Sequence, residues 1–252
     1  MARTIGILSG KGGVGKTTLV SNLGLAFNKI GKNVLVVDAD LSGANLVQHF
    51  GIEPITTLND VLNGRAFITE AFYKIEGIGI IPASILDYEG DATKLTDVLL
   101  DVTGDRDLIL LDGPSGSGKD AETIVQASDE ILIVTEPEMP SITNAIEILK
   151  LAEKYNRPIT GVVINKYRNE RNQLTAKQVQ ETLDKRLMGR IEDHRNVRDS
   201  IALRLPIVVY APKSKVSKQF MSTAYRILGV ENPSKNLRER LRRAFYRPPK
   251  EF

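Results

Sequence analysis

Cysteine and tryptophan are both absent from the 252-residue chain. Without cysteine, thiol catalysis, cysteine-ligated zinc and iron–sulfur clusters are excluded. Histidine is scarce, since His49 and His194 are the only two and neither lies in a recognisable motif. Long hydrophobic runs are also missing, because no stretch approaches the ~18 apolar residues of a membrane-spanning helix. The first residues have too short an apolar run for a signal peptide, so we expect the chain to act in the cytoplasm.

The composition that remains is that of a globular protein with an unusual distribution of charge. Hydrophobic residues make up 42% and charged residues 26%, which is enough for a sizeable core. The net charge is +3, but residues 233–252 hold seven basic and two acidic groups, whereas residues 1–232 hold 27 and 29. A C-terminal tail, defined here as residues 231–252, therefore carries the excess positive charge. It begins with the polar, proline-containing segment Glu231-Asn232-Pro233-Ser234.

Short apolar segments alternate with amphipathic helical patterns along the chain. Several of these segments are apolar throughout, which is typical of parallel strands covered on both faces. The alternation predicts one α/β domain, residues 1–230, with a mostly parallel twisted sheet and helices on both faces, followed by a short amphipathic helix in the tail. The predicted strands are Thr4–Leu8, Asn33–Val37, Gly79–Pro82, Leu108–Leu111, Glu130–Thr135, Thr160–Asn165 and Ile207–Tyr210. The predicted helices cover residues 17–29, 91–103, 140–155, 175–187 and 214–228.

A glycine- and lysine-rich segment lies between the first predicted strand and the first predicted helix. It has the G-x-x-x-x-G-K-[ST] pattern of a phosphate-binding P loop and is followed by Thr18: Gly10-Lys11-Gly12-Gly13-Val14-Gly15-Lys16-Thr17. The glycines let backbone N–H groups wrap phosphate oxygens, and the helix directs its positive end toward them. Lys16 supplies charge to the β- and γ-phosphates, and the Thr17 hydroxyl joins a Mg²⁺ shell. The segment predicts binding of ATP or ADP together with Mg²⁺.

A second glycine-rich stretch, residues 113–119, is similar to a P loop but lacks its final hydroxyl. Asp120 follows it, and a carboxylate at that position repels phosphate. The useful residue is Asp112, which ends the apolar run 108–111. A carboxylate at the carboxyl edge of a parallel strand suits holding Mg²⁺ through water. The alternative role for Asp112 is to cap the next helix.

Two further carboxylates, Asp38 and Asp40, follow the second predicted strand. Side chains two residues apart in an extended segment point to the same side, so both are expected to face the phosphates. One of them would orient an attacking water molecule. Repulsion between the two like charges raises a pKa, which helps one of them act as a base.

Together these segments resemble the MinD/ParA family of P-loop ATPases, whose Walker A loop is deviant. The most specific match is Lys11, because ordinary P loops do not require a lysine there. In that family this lysine reaches across an ATP-sandwich dimer to the partner's phosphates, which implies a homodimer whose catalysis depends on dimerisation. The resemblance assigns Asp40 to polarising the hydrolytic water. The family's two switch motifs are present as Asp38-Ala39-Asp40 and Asp112-Gly113-Pro114-Ser115-Gly116.

Later segments match the family in the same order along the chain. Residues 57–64 resemble its helix after switch I, and residues 135–138 resemble its fifth-strand loop, where a glutamate lies near the dimer interface. The resemblance implies that Asn165 hydrogen-bonds adenine and that the loop containing Pro212 closes over the base. Asparagine and proline at strand ends are also common in ordinary loops.

The tail has the pattern of a short basic amphipathic helix. Leu237, Leu241 and Phe245 recur at i, i+4 and i+8 and span about 80° of one face, while basic residues cover the flanks. This pattern is typical of a membrane-surface anchor and resembles the membrane-targeting helix of MinD, so these three residues are predicted to bind an anionic membrane. Docking of the stripe on the body and binding of DNA phosphates are the alternatives.

These features favour a MinD-like, magnesium-dependent ATPase that dimerises with ATP. It would associate reversibly with the inner face of the cell membrane and position another assembly, such as the division machinery. Its partners would be a second copy of itself, an anionic membrane surface and an unidentified activating or cargo protein. The alternative is a ParA-type partition ATPase that binds DNA non-specifically, which the apolar stripe disfavours. ATP-dependent ligation of a small substrate is a third function, against which Lys11 argues.

Overall fold

Eight strands form one sheet in the computed structural model, which describes residues 2–87 and 89–233. The strands are β1 (Arg3–Ser9), β2 (Val34–Asp38), β3 (Tyr73–Ile75), β4 (Ile78–Ile81), β5 (Leu108–Ser115), β6 (Glu130–Thr135), β7 (Ile159–Tyr167) and β8 (Leu187–Glu192). The helices are α1 (Lys16–Lys29), α2 (Leu46–Phe50), α3 (Leu58–Leu62), α4 (Leu95–Leu100), α5 (Lys119–Ala127), α6 (Met139–Lys154), α7 (Ala176–Leu183), α8 (Arg195–Ala202), α9 (Ile207–Tyr210) and α10 (Lys215–Leu228).

The order of the strands places the end of β1 at the centre of the sheet. The order is β3-β4-β2-β5-β1-β6-β7-β8, and every neighbouring pair is parallel except β3 with β4. The chain runs outward from β1 toward β2 in its first half and toward β6, β7 and β8 in its second half. Ligands of open α/β sheets bind outside the carboxyl ends of the strands at such a reversal.

Two apolar cores lie on opposite faces of the sheet, as expected for strands that are apolar throughout. One core includes residues of α3, α4, α5, α6 and α7, and the other includes residues of α1, α2, α9 and α10. Strand β2 shows why both are needed, because all five of its residues are buried. The predicted fold class, a mostly parallel sheet covered on both faces, is therefore confirmed.

The strand predicted at Ile207–Tyr210 is wrong, because these residues form the short helix α9. Pro206 precedes the helix, and its carbonyl accepts hydrogen bonds from the N–H groups of Val209 and Tyr210. The N–H of Val208 donates to Oδ1 of Asn22 in α1. This hydrogen bond holds the segment against α1, and not at the edge of the sheet. A four-residue apolar run has no periodicity that separates these two structures.

The strand at one edge of the sheet, β8, was not predicted from the sequence. The helix predicted over 175–187 ends at Leu183, where Asp184 takes a left-handed backbone conformation, and β8 then starts at Leu187. The helix predicted over 91–103 is reduced to a 3₁₀ turn at residues 92–94 and α4. Strand β3 and helices α2, α5 and α8 were also not predicted from the pattern.

Helix α10 ends at Leu228, and Gly229 caps it in a left-handed conformation. The predicted membrane-binding residues Leu237, Leu241 and Phe245 lie outside the described residues, so the tail helix stays a prediction. Within residues 2–87 and 89–233, no helix combines the length and the apolar composition that crossing a membrane requires.

Candidate nucleotide-binding site

The P loop, residues 10–15, connects the end of β1 to the start of α1, as the sequence predicts. Gly13 and Gly15 have φ angles of 78° and 87°, which L side chains rarely adopt. Gly15 is the residue that precedes the first turn of α1, and that turn contains no acidic side chain. Backbone N–H groups at the start of a helix, together with its positive end, suit the binding of an anion.

Three neighbouring elements fix the shape of the P loop. A Cβ atom on Gly10 would lie 2.1 Å from the backbone oxygen of Asn144, so α6 approaches the loop too closely for any side chain. From the end of β7, Asn165 Nδ2 donates to the carbonyl of Val14 at 2.7 Å. The same amide nitrogen lies 2.3 Å from the Cβ position of Gly15. Gly10 and Gly15 are thus required for close packing, independently of the phosphate binding predicted for the loop.

Lys166 also braces the loop, and sequence reasoning gave it no role. Its Nζ donates to the carbonyl of Gly13 at 2.5 Å and pairs with Oε1 of Glu136 at 2.8 Å. The other oxygen of Glu136 lies 3.7 Å from Nζ of Lys11. One largely buried carboxylate therefore faces two lysines, of which Lys11 is the P-loop residue singled out by the resemblance. Lys166 follows Asn165 directly, so a second polar residue at the end of β7 was the feature of the sequence that could have indicated its role.

Asp112 lies beside the P loop with one unsatisfied oxygen. It is fully buried in β5, and its Oδ1 has no hydrogen-bond partner among the described residues. Burial raises the pKa of Asp112 to about 6, against the opposing effects of the Lys16 charge and a hydrogen bond with Thr17. A buried carboxylate oxygen without a partner is costly unless a cation or donor completes it.

Asp38 does not share the role predicted for it, since its carboxylate is turned into the fold. It pairs with Asp112 in the β2–β5 register and is fully buried. Its Oδ2 accepts hydrogen bonds from the N–H groups of Asn45 and Leu46 at 3.2 and 3.0 Å. Asp38 thereby anchors the loop between β2 and α2. Burial, followed by the charge of Asp112, raises its pKa to about 8.

Asp40 lies in that loop, and its predicted role toward the phosphates stays a prediction. It is partly exposed, and burial raises its pKa while the charge of Lys16 opposes the rise. Lys16 itself is buried, with 9% of its surface exposed, and forms no ion pair with another described residue. The structure therefore brings Lys16, Thr17, Asp40 and Asp112 together at the carboxyl ends of β1, β2 and β5.

A cleft of about 270 Å³ adjoins the P loop on the side of β7. Gly15, Thr18 and Asn165 line it together with residues of the loop after β8 and of α8. Asn165 lines this cleft, and its predicted hydrogen bond to adenine stays a prediction. Pro212 is exposed in the turn between α9 and α10 and does not line this cleft, so its predicted contact with adenine stays a prediction.

The residues present fit a nucleotide with Mg²⁺. Within residues 2–87 and 89–233, no group of three or more acidic or histidine side chains is placed to hold a metal ion by itself. Mg²⁺ in proteins is commonly held by one or two protein oxygens and by the phosphates of the substrate. The Thr17 hydroxyl and the unsatisfied Oδ1 of Asp112 would supply those protein oxygens.

The fold and the P loop together define a P-loop nucleoside triphosphatase, and comparison with known proteins specifies the family. Residues 1–228 match the ParA family, described as NUBPL iron-transfer P-loop NTPase. The chain therefore belongs to the ParA family of P-loop NTPases. It contains no cysteine, the residue that ordinarily ligates iron–sulfur clusters.

Similar proteins include ATP-binding proteins and MinD. An uncharacterised ATP-binding protein of Methanocaldococcus jannaschii is 35% identical over 237 residues, which is 92% of this chain and 89% of that protein. The septum site-determining protein MinD of Thermotoga maritima is 30% identical, with 94% and 92% covered.

Solved MinD structures have the same fold as this chain. MinD of Pyrococcus horikoshii, complexed with Mg-ADP, has a TM-score of 0.85 at 32% identity, over 90% of this chain and 96% of that one. The MinC:MinD cell division protein complex of Aquifex aeolicus gives 0.83 at 32% identity, over 92% and 98%. These relatives identify the chain as a MinD/ParA-type P-loop ATPase.

The close approach of Asn165 to Gly15 predicts how a substitution in the P loop changes ATP affinity. Gly15→Ala would place a Cβ atom 2.3 Å from Asn165 Nδ2 and strain a φ of 87°, so we expect ATP affinity to fall at least about tenfold. Gly31→Ala is the matched control, because Gly31 has a φ of 90° with nothing within 4 Å of its Cβ position. It should lose about 1 kcal/mol of stability and keep its affinity for ATP. Equal losses of affinity, measured by calorimetry, would contradict the prediction.

The buried carboxylates predict how stability depends on pH. The folded, nucleotide-free chain keeps protons on Asp38 and Asp112 that the unfolded chain releases near pH 3.8. This stabilisation is complete below that pH and is lost as the pH rises through about 6 and about 8, by up to about 1.4 kcal/mol per pH unit for each proton. Urea denaturation across this range should show the decline, with a shallower slope for Asp38→Asn. A stability that rises over the same range would refute the assignment.

Proposed function

We propose that the chain is a MinD-like ATPase that dimerises around ATP and hydrolyses it across the dimer interface. Two observations support the nucleotide chemistry: the braced P loop and the grouping of Lys16, Thr17, Asp40 and Asp112 beside it. Membership of the ParA family and the Mg-ADP bound to the Pyrococcus horikoshii relative agree with that chemistry.

Each residue has a distinct task in this proposal. Backbone N–H groups of the P loop and Lys16 hold the β- and γ-phosphates, and Thr17 and Asp112 would hold Mg²⁺. When bound, Mg²⁺ neutralises charge on those phosphates. Asp40 orients the attacking water, for which its partly exposed position beside Lys16 is suitable. The γ-phosphoryl group passes from the β-phosphate oxygen to that water.

The proposal that a second subunit completes the site rests on Lys11. Its side chain is 44% exposed at the rim of the P loop, and its contact with a carboxylate is a long one, 3.7 Å to Glu136. It is therefore a cation at the phosphate site that its own subunit leaves accessible. A cation supplied in trans at phosphoryl transfer accelerates it by roughly 10³–10⁵.

Membrane association and recruitment complete the proposed cycle. The tail would bind weakly as a single copy, since a short helix must order on the membrane. Two tails in one ATP-held dimer would gain about 10²–10⁴ in avidity, so nucleotide would control residence at the inner face of the cell membrane. The MinC:MinD complex of Aquifex aeolicus supports a protein partner for this chain. The resulting function is spatial regulation of cell division or of a similar assembly.

Substitution of Lys11 tests the dimer. Lys11→Ala should lower ATP turnover by about 10³-fold while keeping ATP bound, because the trans charge is lost and the P loop remains. Sedimentation with a non-hydrolysable analogue should show wild-type dimers and Lys11→Ala monomers. Lys29→Ala, which removes an exposed lysine from the far end of α1, is the control and should behave as wild type. Wild-type turnover by Lys11→Ala would end the proposal.

A charge on the apolar stripe tests the tail. Leu241→Glu in the full chain should abolish ATP-dependent pelleting with anionic vesicles, since a carboxylate would be forced into the acyl boundary. Tyr246→Glu makes the same change of charge, about 140° from the centre of the stripe on a helix, and should bind far better. If both variants pellet alike, the stripe does not insert. Retention of the ATP form on DNA, abolished by substitution of lysines in the body, would instead favour the ParA-type alternative.

A further inference from the structure

The body of the protein is itself polarised in charge, apart from the tail. Residues 1–175 contain 16 basic and 23 acidic groups, whereas residues 176–232 contain 11 basic and six acidic groups. The second segment comprises α7, β8, α8, α9 and α10. The excess of positive charge therefore begins in the folded domain, at the β8 side of the sheet.

A groove in this region concentrates the positive charge. It runs between α10 and β8, which is an edge strand, and has a volume of about 530 Å³. Its charged lining residues are all basic: Arg190, Lys215, Lys218 and Arg226. Gly189, Ser222 and Thr223 also line the groove. The hydroxyl of Ser222 adds a hydrogen-bond donor for an anionic group to this lining.

Most of these cations have no anion within the described residues. Lys215 pairs with Glu192 at 2.7 Å. Arg190 lies over the ring of Tyr167 at 4.4 Å, and Arg226 donates to the carbonyl of Met188 at 3.2 Å. Neither arginine forms an ion pair with another described residue, and Lys218 does not either. Three cations that form no ion pair with another described residue thus line one concave surface, an arrangement that suits phosphate-like anions.

We propose that the groove between β8 and α10 binds the phosphate headgroups of anionic lipids, as a membrane contact that the folded body makes beside the tail. The inference rests on the proposed membrane association. The tail begins three residues after the end of α10, the helix that forms one wall of the groove, so both cationic surfaces belong to one end of the chain. The apolar stripe of the tail is suited to lipid and not to DNA, which favours a membrane as the source of the phosphate groups.

Arg190 and Lys218 are the residues on which to test the groove. Both are exposed and lie outside the nucleotide cleft. Lys215 is unsuitable because its partner Glu192 lines that cleft. The matched control is Lys74→Gln with Lys150→Gln, which removes the same charge from β3, at the opposite edge of the sheet, and from α6.

The experiment is sedimentation of the full chain with vesicles of phosphatidylcholine containing phosphatidylglycerol, in the presence of a non-hydrolysable ATP analogue and Mg²⁺. A basic residue near an anionic surface contributes about fivefold to binding, so Arg190→Gln with Lys218→Gln should weaken it about 10- to 30-fold. The control pair should bind as wild type does. ATPase activity without vesicles should be unchanged in both pairs.

The outcomes separate this inference from the proposed function. If wild type pellets with anionic vesicles and the groove variant pellets equally, the inference alone is overturned. If wild type fails to pellet at all, both the membrane association and the groove contact are overturned. A groove variant that keeps its affinity for vesicles and loses retention on duplex DNA would identify the groove as a nucleic-acid surface and overturn the inference.

Discussion

The burial of Lys16 among carboxylates is the constraint on which the rest of the site depends. Its side chain extends from the first turn of α1 toward the ends of β2 and β5, where Asp40 and Asp112 feel its charge. Burial raises the pKa of Asp38, Asp40 and Asp112, and the charge of Lys16 opposes the rise at Asp40 and Asp112. Burying three carboxylates beside one lysine therefore carries an electrostatic cost, at the position where phosphates and a divalent cation are predicted to bind.

This cost explains how the loops are organised around the site. The carboxylate of Asp38 accepts hydrogen bonds from N–H groups at the start of α2. It thereby determines the path of the loop that carries Asp40. On the other side, Asn165 and Lys166 hold the P loop through its carbonyls, which leaves its N–H groups available for a ligand. The ends of β1, β2, β5 and β7 thus all contribute to one site, although they are far apart in sequence.

Features whose sequence pattern lies within a few neighbouring residues were predicted, and features that depend on contacts between distant residues were not. The P loop, Lys16, Thr17 and Asp112 were predicted because the pattern and its strand–loop–helix context lie within a few residues. The roles of Asp38 and Lys166 were not, since they depend on backbone groups of α2 and the P loop that only the tertiary fold brings close. Helix α9 was mistaken for a strand for the same reason: its β-branched residues pack on α1, and short apolar runs carry no period of their own.

The edge strand β8 has a consequence for how copies of this protein meet. An exposed parallel edge normally invites a further strand and, by repetition, open-ended ribbons. Here Arg226 donates to the carbonyl of Met188 and Gln219 accepts the N–H of Glu192, so α10 already occupies polar groups of that strand. Extension of the sheet by a further strand is thereby discouraged on this side.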